Sequence, residues 1–114
     1  MLEALQDKNR NFEQLSIDEF LNKKFKTNDD YILRSIADEH CLIPIGEVEV
    51  FENSIISLNE TAAYLWNIFN DGCVVKDAIS KALSEYEATY ELIEYSVTNF
   101  ILENYKFGLI REDI

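Results

Sequence analysis

The chain has 114 residues, enough for one hydrophobic core and too few for two. Hydrophobic residues make up 47% and charged residues 28% of the sequence, as in ordinary folded proteins, but the formal net charge is -12. Such an acidic chain disfavours nucleic-acid binding, because Lys and Arg are needed to neutralise phosphates. The sequence has no signal-like segment and no apolar run of about 18 residues, so we expect a cytoplasmic protein that does not bind membranes.

The basic residues are unevenly distributed along the chain. Five of the ten fall within the first 26 residues, and none lies in residues 35–75 or 82–105. Two interpretations stay open. The acidic charge keeps the protein soluble, or it forms a surface that selects neutral or cationic partners by charge complementarity.

Residues 1–28 are interpreted as an extension, outside the core of a domain that spans residues 29–114. Ser16 and Glu19 have the spacing of a capping box, which starts a helix. An apolar stripe with helical spacing follows: Ile17, Phe20, Leu21 and Phe25. A helix of about ten residues is unstable alone, so we expect it to dock on another element.

Three short β-rich runs follow a break at residues 28–30. They cover residues 31–36, 41–43 and 54–58, with a turn at Asp38 and Glu39. Residues 46–53, between the second and third runs, are acidic and irregular. Runs of this length separated by turn residues predict a small antiparallel sheet.

Three helices are predicted after the third strand. Asn59 can cap the first, at residues 60–70, with no loop between strand and helix. The second, at residues 75–86, follows Val74, a poor cap, so we expect its first turn to fray. The third covers residues 90–105 and is capped by Thr89. The predicted fold class is α+β and winged-helix-like: a small three-stranded antiparallel sheet followed by three helices, with a helical N-terminal extension.

The third helix carries two apolar faces. The predicted core stripe is Tyr90, Ile93, Val97, Phe100, Ile101 and Phe107. A second set lies roughly opposite: Leu92, Tyr95, Asn99, Leu102 and Lys106. Two apolar faces indicate two partners. The second face could receive the N-terminal helix or the mate in a homodimer, form one wall of a peptide groove, or simply be exposed.

No residue pattern points to catalysis or to a bound metal. His40 is the only histidine, and Cys41 and Cys73 do not form a CxxC pair. The three glycines form no phosphate-binding loop. Glu47, Glu49 and Glu52 lack the pattern of a calcium loop. We therefore expect a protein that is not an enzyme and that holds no cofactor and no metal.

The passage IISLNETAAYLW, at residues 55–66, resembles the PqqD family, the leader-peptide recognition elements of peptide-modifying pathways. The resemblance covers residues 31–110 and includes YILR at residues 31–34, LIPIG at 42–46, DG at 71–72 and YKFGLI at 105–110. It implies an adaptor that binds the leader segment of a ribosomally made precursor peptide. The adaptor presents this precursor to a modifying enzyme, often a radical S-adenosylmethionine protein.

In this family, the leader adds as a strand beside the third strand, in a cleft lined by the third helix. The resemblance thus implies a peptide-binding set of Ser54, Ile55, Ile56, Ser57, Leu58, Leu92, Tyr95, Asn99 and Leu102. Glutamates are expected around the groove mouth and favour a neutral or basic leader: Glu47, Glu49, Glu52, Glu91 and Glu94. The alternative is a structural or regulatory subunit that docks a partner protein without reading a peptide. In that case the N-terminal segment would cover the edge at residues 54–58, so whether this edge is already paired in the free protein discriminates between the two.

Overall fold

A computed structural model describes residues 16–45 and 55–114. The predicted α+β fold, with a three-stranded antiparallel sheet and three following helices, is confirmed. The elements in chain order are α1 (Ile17–Leu21), β1 (Lys24–Thr27), β2 (Tyr31–Ile36), β3 (Glu39–Pro44), β4 (Ile56–Leu58), α2 (Glu60–Phe69), β5 (Cys73–Val74), α3 (Val75–Glu85), α4 (Tyr90–Lys106) and β6 (Ile110–Glu112).

The hairpin sheet, our name for β2, β3 and β4, contains the three predicted strands in the order β2-β3-β4. β2 and β3 form a hairpin whose register runs from Tyr31 opposite Pro44 to Ile36 opposite Glu39. β4 pairs antiparallel with β3, and Ser57 lies opposite Cys41. This order leaves β4 at one side of the sheet. The predicted β segment at residues 48–50 lies outside the described residues.

A second sheet, the terminal sheet, was not predicted from the sequence. It has the order β5-β1-β6, and all of its pairs are antiparallel. Its central strand β1 lies within the predicted extension. Phe25 is fully buried there, and the hydroxyl of the buried Thr27 donates to Asn70 Oδ1 at 3.3 Å. Its outer strands come from the α2–α3 connection and from the segment after α4.

The interpretation of residues 1–28 as lying outside the core is wrong for Phe20 and Phe25. Both side chains are buried in the core, with ring centroids 6.0 Å apart. The error arose because Phe25 follows Leu21 by four residues, which fits a helix, whereas α1 ends at Leu21. The division of the chain into two parts at residue 28 stays a prediction.

The predicted N-caps Ser16, Asn59 and Thr89 each accept a hydrogen bond through a side-chain oxygen. Asn59 accepts from the Ala62 amide at 2.7 Å, and Thr89 accepts from the Leu92 amide at 3.2 Å. The capping box of α1 is complete, with both reciprocal bonds formed between Ser16 and Glu19. These caps fix where α1, α2 and α4 begin. In particular, Asn59 turns the chain from β4 into α2 without an intervening loop.

Helices α2, α3 and α4 pack around one core. Its largest fully buried side chains include Trp66, Phe69, Ile79 and Ile101, and Leu42 reaches it from the hairpin sheet. The predicted stripe of α4 is correct at four positions: Ile93, Val97, Phe100 and Ile101. It is wrong at Tyr90, which is 44% exposed, and at Phe107, which is 77% exposed. None of the helices in the two described ranges is long and apolar enough to cross a membrane.

Candidate functional site

The exposed side of β4 is the first component of the site. Within residues 16–45 and 55–114, β4 pairs with β3 and with no other strand. No described strand therefore occupies its outer side, where an additional strand could pair. The stretch carries neither charge nor proline, and Ile55, which precedes it, is 58% exposed. It therefore lacks the charges and the proline that protect many edge strands, although β4 is only three residues long.

A row of side chains on α4 faces this edge. Tyr95, Asn99 and Glu103 follow one another at intervals of four residues along α4, and the C-cap residue Phe107 continues the row; all four border the same cavity. At 1.5 Å per residue, the row is about 18 Å long, enough for about five residues of an extended chain. Tyr95 is 67% exposed. The row thus presents aromatic rings at both ends, with an amide and a carboxylate between them.

A cavity of about 860 Å³ separates the edge strand from this row. We call it the cleft. Its deeper wall includes the buried side chains Leu65, Phe100 and Leu109. The other lining residues are Tyr31, Ile55, Ile56, Ser57, Leu58, Asn59, Thr61, Ala62, Tyr95, Ser96, Asn99, Glu103, Asn104 and Phe107. An apolar floor between a free strand edge and a helix is suited to an extended peptide.

Six of the nine predicted site residues lie together in the cleft: Ile55, Ile56, Ser57, Leu58, Tyr95 and Asn99. The prediction for Ser54 falls outside the described residues. Leu92 instead lines a second cavity, and Leu102 lines neither the cleft nor this second cavity. Leu102 is half-buried against the hydrophobic core.

The second cavity, of about 210 Å³, adjoins the cleft. Thr61, Leu65 and Ser96 line both. One of its walls is Tyr86, whose ring makes an edge-to-face contact with Tyr64 at a centroid distance of 5.2 Å.

Tyr64 is held by its hydroxyl, which donates to the Lys81 carbonyl oxygen at 3.1 Å. Partial burial, reinforced by the charge of Glu85, raises the pKa of Tyr64. The phenol therefore keeps its proton, and with it this hydrogen bond, over a wider range of pH.

Phe107, Tyr31 and Glu103 line the cleft but were not in the predicted set. Phe107 was assigned to the core stripe because its helical angle is close to that of Ile93. The angle does not apply, since α4 ends at Lys106 and Phe107 is its C-cap. The four-residue spacing from Tyr95 and Asn99 was the signal that could have identified Glu103, whereas helical spacing does not extend to Phe107.

Few charges line the described part of the cleft. Of the described residues that line it, Glu103 is the only charged one. Glu91 and Glu94 line neither cavity, and the prediction for Glu47, Glu49 and Glu52 falls outside the described residues. In the part of the chain that the structure describes, no group of His, Cys, Asp and Glu side chains is arranged to hold a metal ion.

Comparison with known proteins gives a family and a fold. The family model described as coenzyme PQQ synthesis protein D (PqqD) matches residues 39–110. These residues run from β3 to the start of β6 and include the whole α4 row. Comparison with curated proteins finds no significant match.

One similar solved structure is described as TbiB1 in complex with the TbiA(beta) leader peptide. The TM-score is 0.61 at 16% sequence identity, and the match covers 75% of this chain and 94% of that chain. At this identity, the similarity shows a shared fold.

Proposed function

The chain belongs to the PqqD family, whose model matches well over half of it, and from this premise we propose that it is a non-catalytic peptide-binding adaptor. It recognises the leader segment of a ribosomally made precursor peptide. The leader adds as a strand along β4 and lies in the cleft against the α4 row. The structurally similar TbiB1 chain was solved with a leader peptide, which supports this assignment.

The observation that carries the proposal is the position of the free edge. β4 leaves its outer backbone groups unpaired by any described strand, and the cleft opens directly beside them. Backbone hydrogen bonds to an added strand supply affinity without depending on sequence, whereas side-chain pockets set the register. Tyr95, Phe107 and Ile55 are exposed large apolar side chains at this cleft, and a bound peptide would bury them.

The adaptor role follows from what the cleft contains. Its lining has an apolar floor, amides, hydroxyls and one carboxylate, a set that suits binding better than proton transfer or nucleophilic attack. The chemistry would then be done by a partner, a modifying enzyme such as a radical S-adenosylmethionine protein. This exchange would take place in the cytoplasm, where the precursor is synthesised.

A binding experiment with candidate precursors tests the function. The leaders of short peptides encoded beside this gene are synthesised with a fluorophore and titrated with the full chain. We expect fluorescence anisotropy to show saturable binding of one leader and weaker binding of a scrambled leader with the same composition. Equal binding of native and scrambled leaders, or no binding of any, would contradict the proposal.

The alternative is a subunit that docks a partner protein through α2, α3 and α4, with its β4 edge covered. It predicts that the purified chain binds the modifying enzyme equally well with and without the leader. It also predicts that hydrogen exchange at β4 is slow in the free chain and does not change when leader is added. Leader-dependent slowing at β4 would exclude this alternative.

A further inference from the structure

The chemistry of the α4 row indicates what kind of peptide the cleft selects, and this inference rests on the proposed function. Glu103 lies in the second half of the row, four residues before Phe107. Its side chain forms no ion pair with any of the residues that the structure describes. Glu103 is exposed, so its carboxylate is accessible to a ligand and its charge is screened by salt. Among the described residues, Glu103 is therefore a charge without an ionic partner at the proposed peptide site.

The end of α4 adds to the negative potential at the same place. The last carbonyl groups of a helix carry about half an elementary negative charge. Asn104, which also lines the cleft, has a carbonyl oxygen that accepts from the amides of Phe107 and Leu109 at 3.2 and 2.9 Å. These two amides offset part of that partial charge, and no basic side chain is among the described lining residues. The carboxylate and the helix end thus act in the same direction.

The described lysines near the terminal sheet form ion pairs with carboxylates other than Glu103. Lys23 pairs with Glu112 at 2.8 Å, Lys24 with Asp113 at 3.6 Å, and Lys26 with Asp29 at 2.6 Å. Lys106 is exposed, is not among the described lining residues of the cleft, and forms no ion pair with Glu103 there. None of these described lysines neutralises Glu103, which leaves its carboxylate able to pair with a basic side chain of a ligand.

We propose that the cleft is specific for a peptide segment that places a Lys or Arg side chain beside Glu103. Phe107, which is 77% exposed at the end of the row, offers an aromatic face to the same cation. The first half of the row, with Tyr95 and Asn99, carries no charge and receives neutral residues. The selected peptide is therefore asymmetric, neutral at the Tyr95 end and basic at the Phe107 end, and this asymmetry fixes its direction along β4.

Peptide selection tests the proposal without knowledge of the precursor. The full chain is immobilised, and a phage library of random peptides of about ten residues is selected against it, long enough to span the row with flanking residues. Three variants are selected in parallel. Glu103→Gln removes the charge, Glu103→Lys reverses it, and Glu91→Gln is the matched control on an exposed position of α4 outside both cavities.

We expect the wild type and Glu91→Gln to enrich Lys or Arg at one fixed position. Glu103→Gln should lose this enrichment, and Glu103→Lys should enrich Asp or Glu there instead. The best wild-type peptide, titrated separately, should bind Glu103→Gln about threefold to tenfold more weakly, with a smaller dependence on salt. Circular dichroism establishes that each variant is folded.

Each other outcome is decisive. If the wild type enriches peptides that have no basic residue at a fixed position, or if Glu103→Gln still enriches Lys or Arg at that position, the proposed preference for a basic residue is refuted. The proposed peptide binding is not refuted by either result. If the wild type enriches no peptide at all, the proposed function fails, and the specificity fails with it. If Glu91→Gln loses the basic preference as fully as Glu103→Gln does, the preference reflects the overall acidic charge and not the cleft, which also overturns the proposal.

Discussion

Tyr95 is the single side chain whose position argues most directly for binding. It is a large aromatic residue, 67% exposed on α4, and it lines the cleft. Its ring is therefore available to a ligand and contributes little to the hydrophobic core. Tyr and Trp side chains in such positions often supply much of the binding free energy of an interface.

We predict that Tyr95→Ala weakens binding of a leader peptide by about 1–3 kcal/mol, the range of an interface anchor. The thermal midpoint should remain close to that of the wild type, because an exposed side chain is removed. Isothermal titration and thermal denaturation measure the two effects on the same samples. A large fall in the midpoint with unchanged affinity would assign Tyr95 to the fold.

Leu102 provides the contrast, because it was predicted at the same face but is half-buried against the core. We predict that Leu102→Ala lowers the free energy of unfolding by about 1–2 kcal/mol, less than a fully buried leucine would lose. Peptide affinity should be retained at temperatures where the variant is folded. Urea denaturation measures the stability, and titration with peptide measures the affinity. A variant with wild-type stability and weakened binding would show that Leu102 contacts the peptide.

Sequence reasoning was most successful at residues where one physical requirement dominates. The first turn of a helix needs a side-chain acceptor for its free amides, so Asn59 and Thr89 could be assigned as caps, and both make the expected bond. Tyr95 and Leu102 could not be separated, since both lie away from the core stripe. Which one faces the cleft depends on how α4 is placed against β4, and periodicity does not contain that information.

At the scale of elements, α3 begins without the cap that the other two long helices have. Val74 takes the N-cap position and, among the described residues, gives no side-chain hydrogen bond to the first turn. One free amide is nevertheless satisfied, because the Val75 amide donates to the Lys23 carbonyl oxygen at 2.9 Å. The start of α3 is thus held by Lys23, just before β1, a contact that was not predicted and that counters the expected fraying.

We predict that Val74→Thr raises the free energy of unfolding by about 0.5–1 kcal/mol. Thr has nearly the shape of Val and keeps its preference for extended backbone, so it fits β5, and its hydroxyl can cap the first turn. Val74→Ala is the matched control, which removes side-chain volume without adding an acceptor and should be destabilising. Urea denaturation compares the three chains, and a Thr variant less stable than the wild type would contradict the prediction.

The terminal sheet shows why some elements escaped sequence reasoning. β5 has two residues and β6 three, too short for a period to be recognised. The burial of β1 alternates as in a strand: Lys24 is exposed, Phe25 is buried, Lys26 is half-buried and Thr27 is buried. Four residues are too few to distinguish this alternation from a continuation of the helical pattern that precedes them. Its partners lie far away in sequence, so the pairing depends on how α2 and α4 have already packed.

For the whole molecule, the net charge of -12 opposes compaction through repulsion between like charges. We predict that raising sodium chloride from about 0.01 M to about 0.1 M increases the thermal midpoint, because the Debye length falls from about 30 Å to about 10 Å. The described residues extend over 38 × 38 × 24 Å. A Debye length of about 30 Å therefore lets charges repel one another across most of the molecule. Differential scanning calorimetry measures the effect, and a midpoint that falls over this range would contradict it.

The central claim is that a leader peptide adds as a strand to the free side of β4 and faces the α4 row. Nuclear magnetic resonance of the labelled chain with unlabelled leader tests it most directly, through cross-strand contacts between backbone protons of the peptide and those of Ile56–Leu58. We expect a continuous set of such contacts, together with contacts from peptide side chains to Tyr95 and Phe107. A bound peptide whose contacts all lie on other surfaces, with β4 unaffected, would contradict this claim.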